Sequence, residues 1–226
     1  MRLFILSALF LCAASQAQPV AAPAPVPQFT SVALTLDACG GDFDWKFAQM
    51  LVQRKVPATL FVTKKWIDHN ARAVAFLREH RDLFEVENHG SAHLAPVVES
   101  PRGPYGVAAV GSMAGLHREV DDGAQAIEKA FGTTPHWYRG ATALYSPPAL
   151  VELKRSGWGV AGYSIALDDG ATLPAAAVVK RALGARAGDT LLGHINRPKS
   201  GTGPGMAEAI PLMLAKGIQF GHLTKP

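Results

Sequence analysis

SVALTLDACGG, residues 31–41, combines an apolar run with a polar, glycine-rich end. Its first six residues form a short apolar and β-branched run, which is typical of a buried strand, and the glycines that follow indicate a tight turn. Asp37 stands where the strand passes into the turn. The stretch therefore predicts a core strand that delivers one carboxylate to the edge of a sheet.

Strands and amphipathic helices alternate along the rest of the chain. Further strands are predicted at 57–63, 84–90, 135–139, 158–165, 189–195 and 218–223, and helices at 44–55, 71–79 and 116–131. Asp44 is the expected N-cap of the first helix, because its short carboxylate can accept from the first free backbone amides. Strand–helix alternation at this spacing predicts a parallel α/β barrel or a doubly wound sheet in a single domain.

Polar side chains recur at the ends of these strands. Asp37, His89, Arg139, Asp168 and His194 all lie at or just past the C-terminal end of a predicted strand. In parallel α/β folds this rim is where active sites are built. We therefore expect the five side chains to face one site.

The first residues have the pattern of a secretion signal. Arg2 precedes an apolar run from Leu3 to Ala13, which is too short to span a bilayer, and Ser15-Gln16-Ala17 is a small-x-small cleavage pattern. We predict a signal peptide over 1–17, a Pro/Ala-rich linker or mobile tail over 18–29, and a catalytic domain over 30–226. The protein is then secreted or periplasmic.

Composition narrows the partners and the redox chemistry. The net charge is +4 among scattered basic residues, so nucleic acid is not an expected partner. Signal cleavage would remove Cys12 and leave Cys39 without a disulfide partner. We expect a monomer with no stable membrane anchor after cleavage.

The histidines suggest a metal. His89 and His93 are four residues apart, a spacing that can place two imidazoles on one face of a helical turn. Asp37 has the chemistry of a general base for a water that a metal activates, and His194 that of a general acid. Each residue alone is equally consistent with a structural role; their conjunction favours a metal-dependent hydrolase.

At these residues the sequence resembles the polysaccharide deacetylases with a NodB homology domain, also called carbohydrate esterase family 4. TLDACGG (35–41) is similar to the family's T-F-D-D-G, and His89-Gly90-Ser91-Ala92-His93 to its H-[ST]-x-x-H. PATLFVT (57–63) looks like its second strand, and Leu192-Gly193-His194 like its late Leu-x-His motif. The resemblance extends from about Ser31 to Leu223.

The resemblance implies a fold and a set of roles. The fold would be a distorted (β/α) barrel of the NodB-homology type, and the reaction the removal of N- or O-linked acetyl groups from a polysaccharide or cell-wall glycan. His89 and His93 would ligate a divalent metal, first of all Zn²⁺. Asp37 would be the base and His194 the acid. Arg139 would keep Asp37 ionised, and Asp168 would orient His194, with Asp169 as the rival for that role.

One departure from the family opens an alternative. Ala38 stands where the family has its third metal ligand, so Asp42, Asp44, Cys39, Asp37 or a water must complete the site. Loss of a ligand can also turn an enzyme into a carbohydrate-binding protein on the same fold, and a metal-dependent hydrolase of a small molecule is a third interpretation.

Three further segments have expected places around the site. Trp66 is our first choice for stacking against a sugar ring at the rim. The glycine-rich segment 102–115 is expected to be a loop beside the site. The segment SGTGPG (200–205) is expected to be a flexible turn before the last helix.

Overall fold

The computed structural model describes residues 18–25, 27 and 31–226. In this part of the chain the strands are β1 (Val20–Ala21), β2 (Val32–Ala38), β3 (Ala58–Val62), β4 (Phe84–Asn88), β5 (Trp137–Tyr138), β6 (Leu144–Tyr145), β7 (Gly159–Val160), β8 (Ile165–Ala166), β9 (Thr190–His194) and β10 (Phe220–Gly221). The helices are α1 (Trp45–Arg54), α2 (Lys64–His69), α3 (Ala71–Glu79), α4 (Met113–Phe131), α5 (Pro147–Arg155), α6 (Ala175–Ala182) and α7 (Thr202–Ala215). The predicted signal peptide lies outside the described residues.

The main sheet is parallel and curls into an open barrel. Its strands follow the order β7-β5-β4-β3-β2-β9-β8, and β10 pairs with the start of β2. β7 and β8 are at opposite ends of this order, yet only residues 161–164 separate them in sequence. So short a connection spans at most about 18 Å, so the two ends of the sheet must lie close together. The result is a distorted (β/α) barrel with an unpaired seam, as the family resemblance implied.

Helices cover the outside of the barrel because the outward faces of the central strands are apolar. All residues of β2 and of β3 are buried. Leu34 and Leu36 pack outward into the main core under the helices, whereas Ala33 and Phe61 belong to a small cluster with Leu223. Parallel strands with continuous apolar runs are typical of sheets that are covered on both sides.

Local sequence signals place several helix ends correctly. Asp44 accepts from the backbone amide of Phe47 at 3.1 Å, so its predicted capping role is confirmed. Helix α4 begins at Met113, three residues before the predicted start, because Ser112 caps it through the amide of Gly115. None of the described helices is long and apolar enough to cross a membrane.

The strand predicted over 158–165 is wrong in its continuity. The chain forms β7, leaves the sheet at Ala161 and Gly162, and re-enters at its other end as β8. The apolar run is the same in either case, because β7 is buried and β8 is half-buried. Periodicity alone does not reveal that the segment bridges the seam.

The turn predicted over 200–205 is also wrong, because α7 begins at Thr202. Its glycines permit close packing: a Cβ at Gly203 would lie 2.5 Å from Asp44 Oδ2, and one at Gly205 would lie 2.7 Å from the Cβ of Val178 in α6. The glycines that suggested a flexible turn instead let α7 approach its neighbours.

The Pro/Ala-rich segment is extended, as predicted, but its described residues are packed on the domain instead of forming a mobile tail. β1 pairs antiparallel with β6, and Ala22 is buried. The carbonyls of Pro23 and Pro25 accept from the Gly162 amide and the Thr190 hydroxyl at 2.8 and 2.6 Å. Proline lacks an amide donor but keeps its carbonyl acceptor, so this segment can bind through its oxygens.

Candidate active site

The parallel register brings the rim residues together. Asp37 at the end of β2 is the register partner of His194 at the end of β9, and His89 and Arg139 directly follow β4 and β5. Because these strands run in one direction, their C-terminal ends share one edge of the barrel. The structure thus brings together the five side chains that the sequence placed at strand ends.

Asp37 is held as a carboxylate by a buried arginine. Arg139 is fully buried, and its Nη1 donates to Asp37 Oδ1 at 3.0 Å and to Thr35 Oγ1 at 2.9 Å. Its other nitrogens donate to the carbonyls of Ala161 and Gly162, and its guanidinium lies 4.1 Å above the ring centre of Phe61.

Electrostatics favour the ionised form of Asp37. Burial raises the pKa of Asp37, but the charges of His89, Arg139 and His194 outweigh that effect. The pKa therefore lies below its ordinary value of 3.8. A carboxylate in this state is ready to accept a proton at neutral pH.

Asp168 fixes the position of His194, the second titratable group of the site. Its Oδ1 accepts from His194 Nδ1 at 2.9 Å, and its Oδ2 accepts from the His194 backbone amide and from the Thr202 hydroxyl at 2.9 and 2.6 Å. Burial lowers the pKa of His194, but the bond to Asp168 and interactions with Cys39 raise it well above 6.5. The rival residue, Asp169, is instead paired with Arg181 at 2.6 Å on the surface.

His89 and His93 meet through a loop and not on a helical turn, so that part of the prediction is wrong. Their ring centres are 5.0 Å apart. Gly90 and His93 have φ angles of 85° and 66°, which reverse the chain between the two imidazoles. His89 Nδ1 donates to the carbonyl of Arg139 at 2.5 Å. A carbonyl oxygen only accepts, so the proton is on Nδ1 and Nε2 is left for a ligand.

Glu119 on α4 anchors this loop and was not found from the sequence. Its carboxylate is buried and accepts from the backbone amides of Ala92 and Leu94 at 3.0 Å. A Cβ at Gly90 would lie 2.4 Å from Glu119 Oε1, which explains why glycine stands where the family has Ser or Thr. Helix periodicity does not indicate this role, because Glu119 lies on the buried face of α4.

The donor set at the rim fits a divalent metal. Cys39, His89 and His93 each offer one ligand atom, and these atoms lie within 4.8 Å of one another. Donors around a tetrahedral Zn²⁺, at about 2.0–2.3 Å from the ion, are roughly 3.4–3.7 Å apart, so only small side-chain movements are needed. The anions of Asp37 and Cys39 also flank His89, whose pKa is lowered by burial but raised by those charges to about 9.

An open cleft of about 1410 Å³ lies over these residues. Tyr105, from the segment 102–115, and Tyr163 line it and are 87% and 39% exposed. Trp66 is fully buried against Phe43, so its predicted role at the rim is wrong. The position of a tryptophan near a strand end in the sequence does not indicate whether its side chain faces the cleft or the core.

The loop after Arg139 is shaped by its own local contacts and backbone angles. The Gly140 amide donates to the hydroxyl of Tyr145 at 3.0 Å, so that amide is already occupied. Thr142 has a φ of 71° and lines the cleft. Left-handed backbone is costly for a β-branched residue, so surrounding contacts must impose this conformation.

A curled parallel half-barrel with these polar residues on its rim defines the class of NodB-type (β/α) barrels. The chain belongs to the polysaccharide deacetylase family: the family model described as "Polysaccharide deacetylase" matches residues 26–161, more than half of the chain. No curated protein matches the sequence.

Solved structures show the same fold at low sequence identity. A family 4 carbohydrate esterase from Streptomyces lividans, in complex with acetate, is 21% identical with a TM-score of 0.71, and the match covers 87% of this chain and 94% of that one. The peptidoglycan deacetylase PdaC from Bacillus subtilis is 22% identical with a TM-score of 0.67, covering 86% and 88%. A CE4 family pseudoenzyme from Bacillus anthracis is 18% identical with a TM-score of 0.70, covering 90% and 68%.

Proposed function

We propose that this protein is a metal-dependent deacetylase that removes N- or O-linked acetyl groups from a polysaccharide or cell-wall glycan. Family membership supports a polysaccharide deacetylase function. The observation that carries the finer proposal is that a carboxylate base and a histidine acid, each held by its own charged partner, line the same cleft as His89 and His93. Asp37 is paired with Arg139, and His194 with Asp168.

The two titratable groups divide the proton transfers. Asp37 accepts the proton of the attacking water on its carboxylate, which Arg139 keeps ionised and oriented. His194 Nδ1 is engaged by Asp168, so its Nε2 is the atom that donates a proton to the departing amine or alkoxide. His89 and His93 would hold a divalent ion, which would supply Lewis-acid activation of the water and the acetyl carbonyl when bound.

The cleft suits a polymer more than a small molecule. Its volume exceeds the roughly 300–1,000 Å³ that is usual for a site of a small ligand, and it is open to solvent. Tyr105 and Tyr163 offer exposed aromatic faces on which sugar rings can stack. The predicted N-terminal signal supports action outside the cytoplasm, on a secreted or periplasmic glycan.

Acetate release tests the proposal. The purified protein should release acetate from acetylated chito-oligosaccharides or acetylated xylan, lose this activity in a chelator and regain it with Zn²⁺. Asp37→Asn should lower kcat by about 10²–10⁴-fold while the metal stays bound, because the base is lost and His89 and His93 remain. Asp68→Asn, a surface carboxylate paired with Lys64, is the matched control and should retain full activity.

A non-catalytic carbohydrate-binding protein is the second candidate. It is favoured by Ala38, which replaces the family's usual metal-binding carboxylate, and a pseudoenzyme with this fold is known from Bacillus anthracis. Binding of acetylated oligosaccharides without acetate release from any of them, under metal-replete conditions, would establish this function in place of the first.

A further inference from the structure

Ala38 cannot coordinate a metal, and its methyl group is packed away from the rim. It is fully buried in the main core together with Leu34 and Leu36, so it continues the outward-facing residues of β2. Cys39 follows at the end of the strand and lines the cleft. The residue next to the missing carboxylate is therefore the one that faces the histidines.

The Cys39 thiol lies where a third ligand is needed. Its Sγ is 3.4 Å from His89 Nε2, close to the separation of two donors on one tetrahedral ion. The same Nε2 is the ring nitrogen left for a ligand, because His89 Nδ1 donates to the Arg139 carbonyl. A sulfur and a ring nitrogen at this separation have the donor spacing of a thiolate–imidazole metal site.

One element holds both sides of this arrangement in place. At the start of α2, the Thr63 hydroxyl donates to the Cys39 carbonyl at 2.9 Å. The next two amides, of Lys64 and Lys65, donate to the carbonyls of Gly90 and Ser91 at 3.0 Å. The backbone of Cys39 and the loop that carries His93 are thus fixed relative to each other before any metal binds.

The other candidates for the third ligand have different contacts. Asp44 caps α1 through the Phe47 amide, and Asp42 is exposed at the mouth of the cleft. Asp37 is bound to Arg139 through Oδ1, and its Oδ2 is 3.7 Å from His89 Nε2. Among the described residues, only Cys39 shares mutual ligand distances with both histidines.

We propose that Cys39, His89 and His93 form a Cys-His-His metal site in which the thiolate replaces the carboxylate expected from the family. The proposal rests on the metal dependence of the proposed function and specifies its ligands. A thiolate is a soft donor, so this site should favour Zn²⁺ and Co²⁺ strongly over Mg²⁺ and Mn²⁺. It also leaves Asp37 free to act as the base.

Cobalt spectroscopy tests the ligand directly. In the full chain carrying Cys12→Ser, Cys39 is the only cysteine, so a thiolate-to-cobalt charge-transfer band in the near ultraviolet has one assignment. We expect this band in the Co²⁺-loaded protein and its complete loss in Cys39→Ser and Cys39→Asp. Zn²⁺ affinity should fall by more than about 100-fold in Cys39→Ser, since even changes behind the ligands cost about 10–100-fold.

The outcomes separate the site from the function. A Co²⁺-loaded protein without the band, or an unchanged Zn²⁺ affinity in Cys39→Ser, overturns the Cys-His-His site even if acetate is released. A strong band without acetate release supports the site and overturns the deacetylase function. Should Cys39→Ser fail to fold, two measurements on the parent protein test the Cys-His-His site. These are the charge-transfer band of the Co²⁺-loaded protein and the rate at which Cys39 is alkylated, which bound Zn²⁺ should lower.

Discussion

At the scale of single residues, the site uses two aspartates for opposite purposes. Asp37 is oriented by a buried guanidinium and keeps its charge, which suits a proton acceptor. Asp168 uses both oxygens to hold His194, and the bond stabilises the imidazolium that a proton donor needs. Burial acts on all of these groups, and the partner of each decides the sign of its pKa shift.

Asp168→Asn should change the pH dependence of catalysis. The carboxylate raises the pKa of His194, so its loss lowers that pKa and moves the basic limb of the kcat/KM profile to lower pH. Activity at pH 8 should fall by roughly 10–100-fold. Asp169→Asn is the matched control, because that carboxylate pairs with Arg181 and should leave the basic limb in place. A basic limb that is unmoved in Asp168→Asn would contradict the role of Asp168.

At the scale of elements, the loops of the site depend on neighbouring helices. The loop 90–94 is fixed by Glu119 from α4 and by the first amides of α2. Asn88, the last residue of β4, adds a bond from its side-chain amide to the Val120 carbonyl at 2.9 Å. The positions of His89 and His93 are therefore properties of the packing between β4, α2 and α4.

Strand β4 also carries a titratable group that opposes stability at neutral pH. Glu87 accepts from the amides of His136 and Trp137, yet burial raises its pKa to about 7. A raised folded-state pKa means that the native protein holds a proton that the unfolded chain releases. The contribution of protonated Glu87 to stability is thus fully present below about pH 4.5 and is lost as the pH rises through 7.

Glu87→Gln should remove this loss. We expect the free energy of unfolding of the parent protein to fall by up to about 3 kcal/mol more than that of Glu87→Gln between pH 4.5 and pH 8, measured by urea denaturation. Glu128→Gln, an exposed substitution on α4, should follow the parent curve. Parallel curves for the parent and Glu87→Gln would show that Glu87 titrates normally.

At the scale of the whole molecule, the N-terminal segment closes the barrel seam. Val20 and Ala21 pair with β6, and the Pro23 carbonyl accepts from the amide of Gly162 between β7 and β8. Gly162 in turn accepts from Arg139 through its carbonyl. A segment far from Arg139 in sequence thereby supports the arginine that orients Asp37.

Gly162→Ala should report this contact. A Cβ there would lie 2.0 Å from the Ala22 carbonyl oxygen, so the segment must shift, at a cost of about 1–3 kcal/mol in unfolding free energy. In a chain that lacks residues 1–25 the same substitution should cost far less, because its partner is absent. Gly40→Ala, whose Cβ would meet only the Lys65 side chain at 3.9 Å, is the control. Equal costs in both chains would mean that the segment does not pack at the seam.

The strand ends, and with them the rim residues, follow from the sequence alone. Apolar runs are local, and their ends place Asp37, His89, Arg139 and His194 at one edge of a parallel sheet, so the fold class and the candidate rim residues followed without coordinates. The resemblance to the family added the distorted barrel form of the sheet. These features depend on contacts between residues that are close in sequence or on strand direction alone.

Which of these groups come into contact depends on the three-dimensional packing of the chain. The approach of Cys39 to His89, the choice of Asp168 over Asp169, the buried Glu119 behind Gly90 and the packed N-terminal segment all join residues far apart in sequence. Such contacts depend on the curvature of the sheet and on helix packing, which leave no periodic pattern in the chain. The sequence shows that Ala38 cannot supply the family's third ligand, and the fold places the Cys39 thiol beside His89.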